Sequence, residues 1–426
     1  MKDYFLKLNE LARRSFLLDV ARTTLGVSVL PSLLTGAEPG QEKLPAEIKA
    51  SCERVIFLYM RGGMSQTDTF DPKEKSSIGG RSKPVKTQSP DLLLSDQLPK
   101  LARQAKDLSV IRSMTTQTGA HSQARYVMHT GYRQRSGMSQ PQLGSWAQIF
   151  LGKSHPVLPS SVLIASGNPG PGFLPPDYSP LPIGNAARGI KDLLPEIDQA
   201  QLNKRVKLAR KFSAAFTHYF PHDDVKAYND FYDQTVQFMS GDMAEPFDIQ
   251  REPANLRNQY GNTPFGQGAL LARRLVERGV RYVEVTSNQN WDSMHGGTNS
   301  LPRLTGELDG TVSALMNDLR DRGLLGTTMI VVTTEFGRTP KVKGNGGRDH
   351  HPNGFSAMLA GGGVKGGIAV GETDENGRDP FPEYEPRDLH ATIATALGMT
   401  GTKIRRLPGR PSFLGGKPKP IQEILA

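Results

Sequence analysis

Short, mainly apolar runs alternate along this chain with longer stretches in which apolar residues return every three or four positions. Arg54–Met60 (RVIFLYM) has the continuous apolar character of a strand covered on both faces, and Ser109–Met114, Ser161–Ala165, Val280–Thr286, Thr328–Val332 and Phe355–Ala360 read as further strands. Leu98–Leu108, Ser122–His129, Leu143–Leu151, Gly266–Arg278, Leu304–Leu319 and Arg387–Leu397 read as helices. In the fifth of these, Leu304, Leu308, Val312, Leu315 and Leu319 share one face. Strands alternating with helices predict an α/β fold: a doubly wound, mostly parallel sheet with helices on both faces. Gly167–Pro182 is rich in Gly and Pro and is expected to be irregular, and Leu193–Ser240 to be helical. Together they suggest a helical insertion, a cap, over about residues 170–262 of an α/β domain running from 54 to 426. In such folds ligands sit beyond the carboxyl ends of the strands.

Composition adds a little. The chain has 426 residues, 37% apolar and 22% charged, enough for a sizeable core and not biased enough for disorder. Its formal charge of +10 favours anionic partners, but the basic residues are scattered, so nucleic acid is not expected. The single cysteine, Cys52, excludes an internal disulfide and reads as an inert thiol. Ala12-Arg13-Arg14-Ser15-Phe16-Leu17 is similar to a twin-arginine signal. The apolar run Leu25–Leu34 and the small residues of Thr35-Gly36-Ala37 complete a signal peptide over residues 1–37, followed by a linker over 38–53. The expected location is exported, periplasmic or extracellular, with the twin-arginine machinery as a partner. No later segment has the roughly 20 apolar residues of a membrane span.

The polar clusters follow the strands. Glu335 ends one strand, and Arg348-Asp349-His350-His351 precedes the next. Adjacent histidines in a Gly-rich loop have little packing role, and imidazole is a common metal ligand. Trp291-Asp292-Ser293-Met294-His295 places an acid and an imidazole three apart after another strand. Two carboxylates and two imidazoles suit zinc, manganese or iron better than calcium. His121-Ser122-Gln123-Ala124-Arg125 opens a helix, where Arg125 could hold an oxyanion as a fork. The turn Gly62-Gly63-Met64-Ser65 offers backbone amides for an anion, with Asp68 beyond it. Arg338, Lys341, Lys343 and Arg348 add positive charge nearby.

Together, GGMSQTDTFDPK (Gly62–Lys73), HSQARYVMHTG (His121–Gly131), WDSMH (Trp291–His295), EFGRTP (Glu335–Pro340) and GRDHHPNGFSAMLAGGGVKGG (Gly347–Gly367) resemble the bacterial family called domain of unknown function 1501. That family is similar to a divergent branch of the alkaline phosphatase and sulfatase superfamily. The resemblance implies an alkaline phosphatase-like sheet with metal at its carboxyl edge. It places Asp292 and His295 as ligands of one ion, Glu335 as the carboxylate of a Ser-Asp-His-Gly pattern whose histidine is here Phe336, and His350 or His351 as a later ligand. His121–Gly131 lies over the sulfatase signature, with Arg125, Thr130 and Gly131 in register. His121 stands where that signature has its nucleophile, with Ser122 beside it. Gly62 takes the place of the first-strand aspartate, which leaves Asp68 as the nearest substitute. One ion is therefore expected rather than two.

The function expected is an exported, metal-dependent hydrolase of phosphate or sulfate esters. Asp292, His295, Glu335, His350, His351 and, as the nearest substitute for the first-strand aspartate, Asp68 form the ligand set for a divalent ion, zinc or manganese. His121 is general acid or nucleophile, with Ser122 next to it, and Arg125 neutralises the ester oxygens. Gly63, Ser65, Arg338 and Arg348 contact an anionic small-molecule or glycan ester. The alternative is a non-catalytic exported protein on the same scaffold that binds metal or glycan.

Overall fold

Arg54–Tyr59 forms the first strand, and its side chains from Val55 onward are buried because both faces are covered. Val55, Phe57 and Tyr59 enter one apolar layer, while Ile56 and Leu58 enter the other. The structure, a computed structural model, describes residues 50–74, 82–165, 170–189, 199–219, 243–292, 300–344, 346–399, 410–416 and 418–426. The segment read as a signal peptide and most of the linker lie outside the described residues, as does His295.

In chain order the elements are β1 (Arg54–Tyr59), α1 (Pro99–Arg103), β2 (Leu108–Met114), α2 (His121–Thr130), α3 (Leu143–Leu151), β3 (Ser161–Ile164), β4 (Leu181–Ile183), α4 (Gln199–Tyr219), α5 (Ala254–Tyr260), α6 (Pro264–Glu277), β5 (Tyr282–Thr286), α7 (Leu301–Asp321), β6 (Thr328–Thr333), β7 (Gly337–Arg338), β8 (His350–His351), β9 (Phe355–Gly361), β10 (Ile368–Val370) and α8 (Pro386–Ala396). Eight of the strands form one sheet in the order β10-β2-β9-β6-β1-β5-β3-β4. All neighbours pair parallel except β9, which is antiparallel to both β2 and β6. The expected doubly wound, mostly parallel sheet is present, with helices on both faces. One face packs α6 and α7, through residues such as Leu271, Leu275, Leu308 and Leu315. The other packs α2, α3 and α8, through Met128, Trp146, Leu389 and Ile393. Each such fully buried side chain stabilises the fold by about 1.5–3 kcal/mol.

Local chemistry sets the helix ends. Thr263 accepts from the Gly266 amide at the start of α6, with Pro264 in the first turn. Asp309, on α7, reaches across to accept from the Lys100 and Leu101 amides and so caps α1 from outside. Glu385 and Asp388 form a capping box on α8.

The sequence pattern overlooked the shortest strands. β4 lies at the sheet edge inside the span read as a helical insertion, so that span is not wholly helical. β7 and β8 pair as an antiparallel ribbon within the stretch read as a loop. The helix expected over Leu98–Leu108 breaks at Gln104 into α1 and a separate 3-10 turn. Of the long helix expected from Leu193, the described part is α4. Cys52 is buried, and burial pushes its thiol up to about 12, in keeping with an inert group.

One buried group gives the fold a pH limit. His390, on α8, is enclosed and bonds the Met128 carbonyl at 2.7 Å. Burial, with positive His129 nearby, lowers its pKa to about 4. Its folded value lies below the unfolded one, so its contribution is complete above the ordinary histidine value and is lost as pH falls towards 4. The stake is on the order of 3 kcal/mol. Urea unfolding between neutral pH and pH 4 should therefore show falling stability, and His390→Gln, which keeps a donor for Met128, should flatten that slope.

Candidate metal centre at the carboxyl edge

The central strands β6, β1 and β5 end side by side, and the residues that follow them converge. Glu335 stands two residues beyond β6 and is 1% exposed. Its Oε1 accepts from the Gly62 amide at 2.8 Å, in the turn after β1. Its Oε2 accepts from the Tyr59 hydroxyl at 2.9 Å and from the Thr334 hydroxyl at 3.1 Å. The fourth partner is His121, at the first position of α2, whose Nδ1 lies 2.8 Å from Oε1. Burial alone would raise the Glu335 carboxyl, but these hydrogen bonds outweigh it and hold it below the usual carboxylate range. The same contact, with Asp292 adding to it, raises the His121 imidazole above its ordinary value.

A carboxylate only accepts, so in neutral His121 the proton sits on Nδ1 and the Nε2 lone pair faces outward. That atom lies 3.3 Å from Asp292 Oδ2. His350 repeats the arrangement from β8. Its Nδ1 lies 2.7 Å from the Gly119 carbonyl, which likewise only accepts. Its Nε2 is buried, has no hydrogen-bond partner among the described residues, and faces Asp292 Oδ1 at 3.5 Å. The two rings meet edge to face with centroids 4.5 Å apart, and both lie against the buried Phe336 ring.

Two imidazole nitrogens aimed at one carboxylate need a positive charge between them, either a proton on a ring or a metal ion. One donor atom each from His121, Asp292 and His350 falls within 4.8 Å of the others. The 3.3 and 3.5 Å separations are close to the ~3.4 Å between neighbouring ligands of a tetrahedral ion with ~2.1 Å bonds. A nitrogen-rich set with one carboxylate suits zinc or manganese rather than calcium. The residues present fit a single divalent ion. Beside them opens a cavity of about 220 Å³, lined by Arg61, Gly62, His121, Arg125, Asn290, Asp292 and Glu335. The Arg125 guanidinium makes no hydrogen bond or ion pair among the described residues and borders this space.

The sequence-derived residues divide accordingly. His121, Arg125, Asp292, Glu335 and His350 come together. His121, expected as acid or nucleophile, sits instead among the ligand donors. Glu335, expected as a ligand, has both oxygens occupied and orients His121. Asp68 is corrected outright: its carboxylate is gripped by Arg348 at 2.9 and 3.1 Å and by the Ser65 and Ser82 hydroxyls at 2.6 and 2.9 Å. Arg348 and Ser65 are thereby structural, not contacts for a ligand. His351 alternates to the other face of β8, where Nε2 meets the Arg378 carbonyl at 2.7 Å. Ser122 is exposed and does not line the cavity. Gly63 turns inward, and its carbonyl accepts from Arg338 Nε at 2.8 Å. At φ +82 a side chain there would be strained and would strike the Phe336 ring. Buried Arg338 binds the Gly62 and Gly63 carbonyls and reaches Asp292 Oδ1 at 2.9 Å, so it positions Asp292 rather than a ligand.

Sequence reasoning missed Tyr59, whose hydroxyl ends an otherwise apolar strand, and Glu284, an acid inside buried β5. Glu284 pairs with His129 at 3.0 Å, both fully enclosed, and Tyr59 packs edge-on against that histidine at 4.5 Å. The visible signal was a lone polar atom at odd positions in a strand meant to be covered on both sides.

Fold and site define an α/β protein with a candidate metal centre at the carboxyl edge of a doubly wound sheet. The chain belongs to the family described as "Protein of unknown function (DUF1501)", which it matches over residues 52–425. No curated protein matches it by sequence. Among solved structures it is similar to the PsFucS1 sulfatase from Pseudoalteromonas sp., at 14% identity and TM-score 0.37, covering 84% of this chain and 69% of that one. It is also similar to the alkaline phosphatase from the Antarctic bacterium TAB5, at 10% and 0.34, covering 82% and 99%. A third is the lipoteichoic acid synthase LtaP from Listeria monocytogenes, at 8% and 0.39, covering 82% and 72%.

Two outcomes follow for the centre. Glu335→Gln removes the charge beside His121, so NMR titration of the metal-free protein should find that ring nearer its ordinary value. Arg348→Ala leaves Asp68 buried and uncompensated, which should destabilise the fold by about 3–5 kcal/mol in denaturant unfolding, with metal content per folded chain unchanged.

Proposed function

We propose that this protein is an exported, metal-dependent hydrolase of phosphate or sulfate esters. The observation that carries the metal reading is the orphaned, buried Nε2 of His350 facing the same carboxylate as the Nε2 of His121. The ester reading is supported by Arg125 and Arg61 on the wall of the adjoining cavity. Export rests on the twin-arginine-like N-terminus alone.

His121, Asp292 and His350 would hold the ion, which is zinc or manganese by donor type. When bound, such an ion lowers the pKa of a coordinated water and polarises an ester oxygen. Glu335 fixes the tautomer and orientation of His121, as the outer partners of ligating histidines commonly do. The Gly119 carbonyl does the same for His350. Arg338 holds Asp292 in place. Arg125 binds the non-bridging oxygens, where its planar fork matches phosphate or sulfate geometry. With His121 among the ligands and Ser122 outside the cavity, no described side chain is placed to form a covalent phospho- or sulfo-enzyme. Water is then the nucleophile, in a single displacement.

The second reading, a non-catalytic exported protein that binds metal or glycan on the same scaffold, is favoured by the lack of such a nucleophile among the described residues. Protein purified without added metal should contain close to one ion per chain by elemental analysis. Asp292→Ala should abolish both that metal and turnover of a panel of aryl phosphates, phosphodiesters and aryl sulfates. Glu335→Gln should weaken metal binding by roughly 10–100-fold. Metal bound without turnover of any ester would select the binding protein, and Asp292→Ala with unchanged metal and activity would remove the centre itself.

A further inference from the structure

The other end of α2 borders a second cavity, of about 380 Å³, that the centre does not use. Arg133, Arg135 and Arg387 all line it, against a single acid, Glu385. That acid is already engaged: it pairs with Arg387, accepts from Gln117 Nε2 at 3.0 Å, and caps α8. Gln117 in turn accepts from Arg133. The Arg135 guanidinium has no hydrogen bond or ion pair among the described residues. Three guanidinium groups facing one concavity repel one another, and one committed carboxylate does not balance them.

Two further features shape the space. Gln117 holds φ at +59, a conformation that non-glycine residues rarely adopt, and so keeps its amide at the rim. Tyr132 is half-buried with its hydroxyl tied to the Ser412 carbonyl, which leaves its ring as a fixed apolar wall. Guanidinium forks, an amide and an aromatic ring are the groups that bind a sugar unit carrying a sulfate, phosphate or carboxylate: forks for the anion, ring for the C–H face, amide for hydroxyls.

The cavity is joined to the metal centre twice over. Gln117 is four residues before His121, a span of at most ~14 Å. Along α2, ten residues separate the His121 end from the Gly131 end, about 15 Å. Distances of that order suit a substrate of a few sugar units.

We propose that this arginine-lined cavity binds an anionic sugar unit of an acidic glycan, remote from the ester at the metal centre. The proposal deepens the hydrolase reading and rests on it for the role of substrate, but the binding itself does not depend on catalysis. Gripping a distant charged unit would favour chains with several anionic groups over simple monoesters.

The test uses the full-length Asp292→Ala protein, in which the metal centre is disabled, and measures binding by calorimetry. Probes are two- to six-unit oligosaccharides from a panel of sulfated and uronic-acid glycans, their neutral counterparts, and inorganic sulfate. At least one acidic oligosaccharide should bind, its neutral counterpart should not, and adding R133A and R135A, both exposed positions, should weaken binding about tenfold or more. No binding by any acidic oligosaccharide, or binding untouched by R133A/R135A, overturns the proposal. Inorganic sulfate binding as tightly as the oligosaccharide overturns the sugar part and leaves a plain anion site. In the otherwise wild-type protein, R133A/R135A should raise KM for an acidic glycan and leave kcat for an aryl ester unchanged. If no ester is turned over yet the oligosaccharide binds through these arginines, the hydrolase reading fails and the cavity stands.

Discussion

The Glu335 carboxylate is the constraint on which the rim of the sheet depends. A charge buried this deeply is tolerated only if it is fully hydrogen-bonded, and four donors from separate segments meet that demand. Tyr59 and Gly62 belong to the end of β1 and its turn, Thr334 to the end of β6, and His121 to the start of α2. The carboxylate therefore joins the two central strands to the helix that crosses them. Because it remains ionised, it also decides which nitrogen of His121 is presented to Asp292.

A second set of buried charges fixes the loops around that point. Arg348 and Asp68 lock the segment after β1 to the segment before β8. Arg338 adds the Gly62, Gly63 and Arg348 carbonyls and then Asp292. Burial weakens the hold of Arg338 on its proton, but neighbouring Asp292 and Glu335 work against that loss. The result is a division among residues that look alike in sequence. One aspartate is sealed by an arginine fork, while the other turns Oδ2 towards His121 and Oδ1 towards His350. The short ribbon of β7 and β8 makes the same separation for adjacent histidines, because alternate residues of a strand point to opposite faces.

These contrasts explain what the sequence could show. The sheet was legible because its main strands are short, largely apolar runs, and pieces of two or three residues, such as β4 and β7, fell below the length at which a period can be seen. Asp292, Glu335 and His121 were legible as polar residues following strand ends, and His350 as one of two adjacent histidines preceding a strand. Their roles were not, since ligand and outer partner differ by which oxygens are already taken. Asp68 illustrates this: nothing local to it indicates an arginine 280 positions away. His351 was indistinguishable from His350 until the ribbon assigned them to different faces. The Asp292 and His295 pair cannot be weighed in the same way, because His295 lies outside the described residues.

Phe336 closes one side of the site. It is a buried ring packed 4.8 Å from His121 and 4.6 Å from His350. A ring in that place offers no lone pair and fills the volume beneath both histidines. It also stiffens them, since neither ring can swing down without displacing it or the close-packed turn at Gly63. Among the described residues, the donor atoms of His121 and Asp292 border the cavity that Arg125 also lines. Among the described residues, the centre is thus closed on one face by an aromatic ring and open on the other towards the cavity that Arg125 borders.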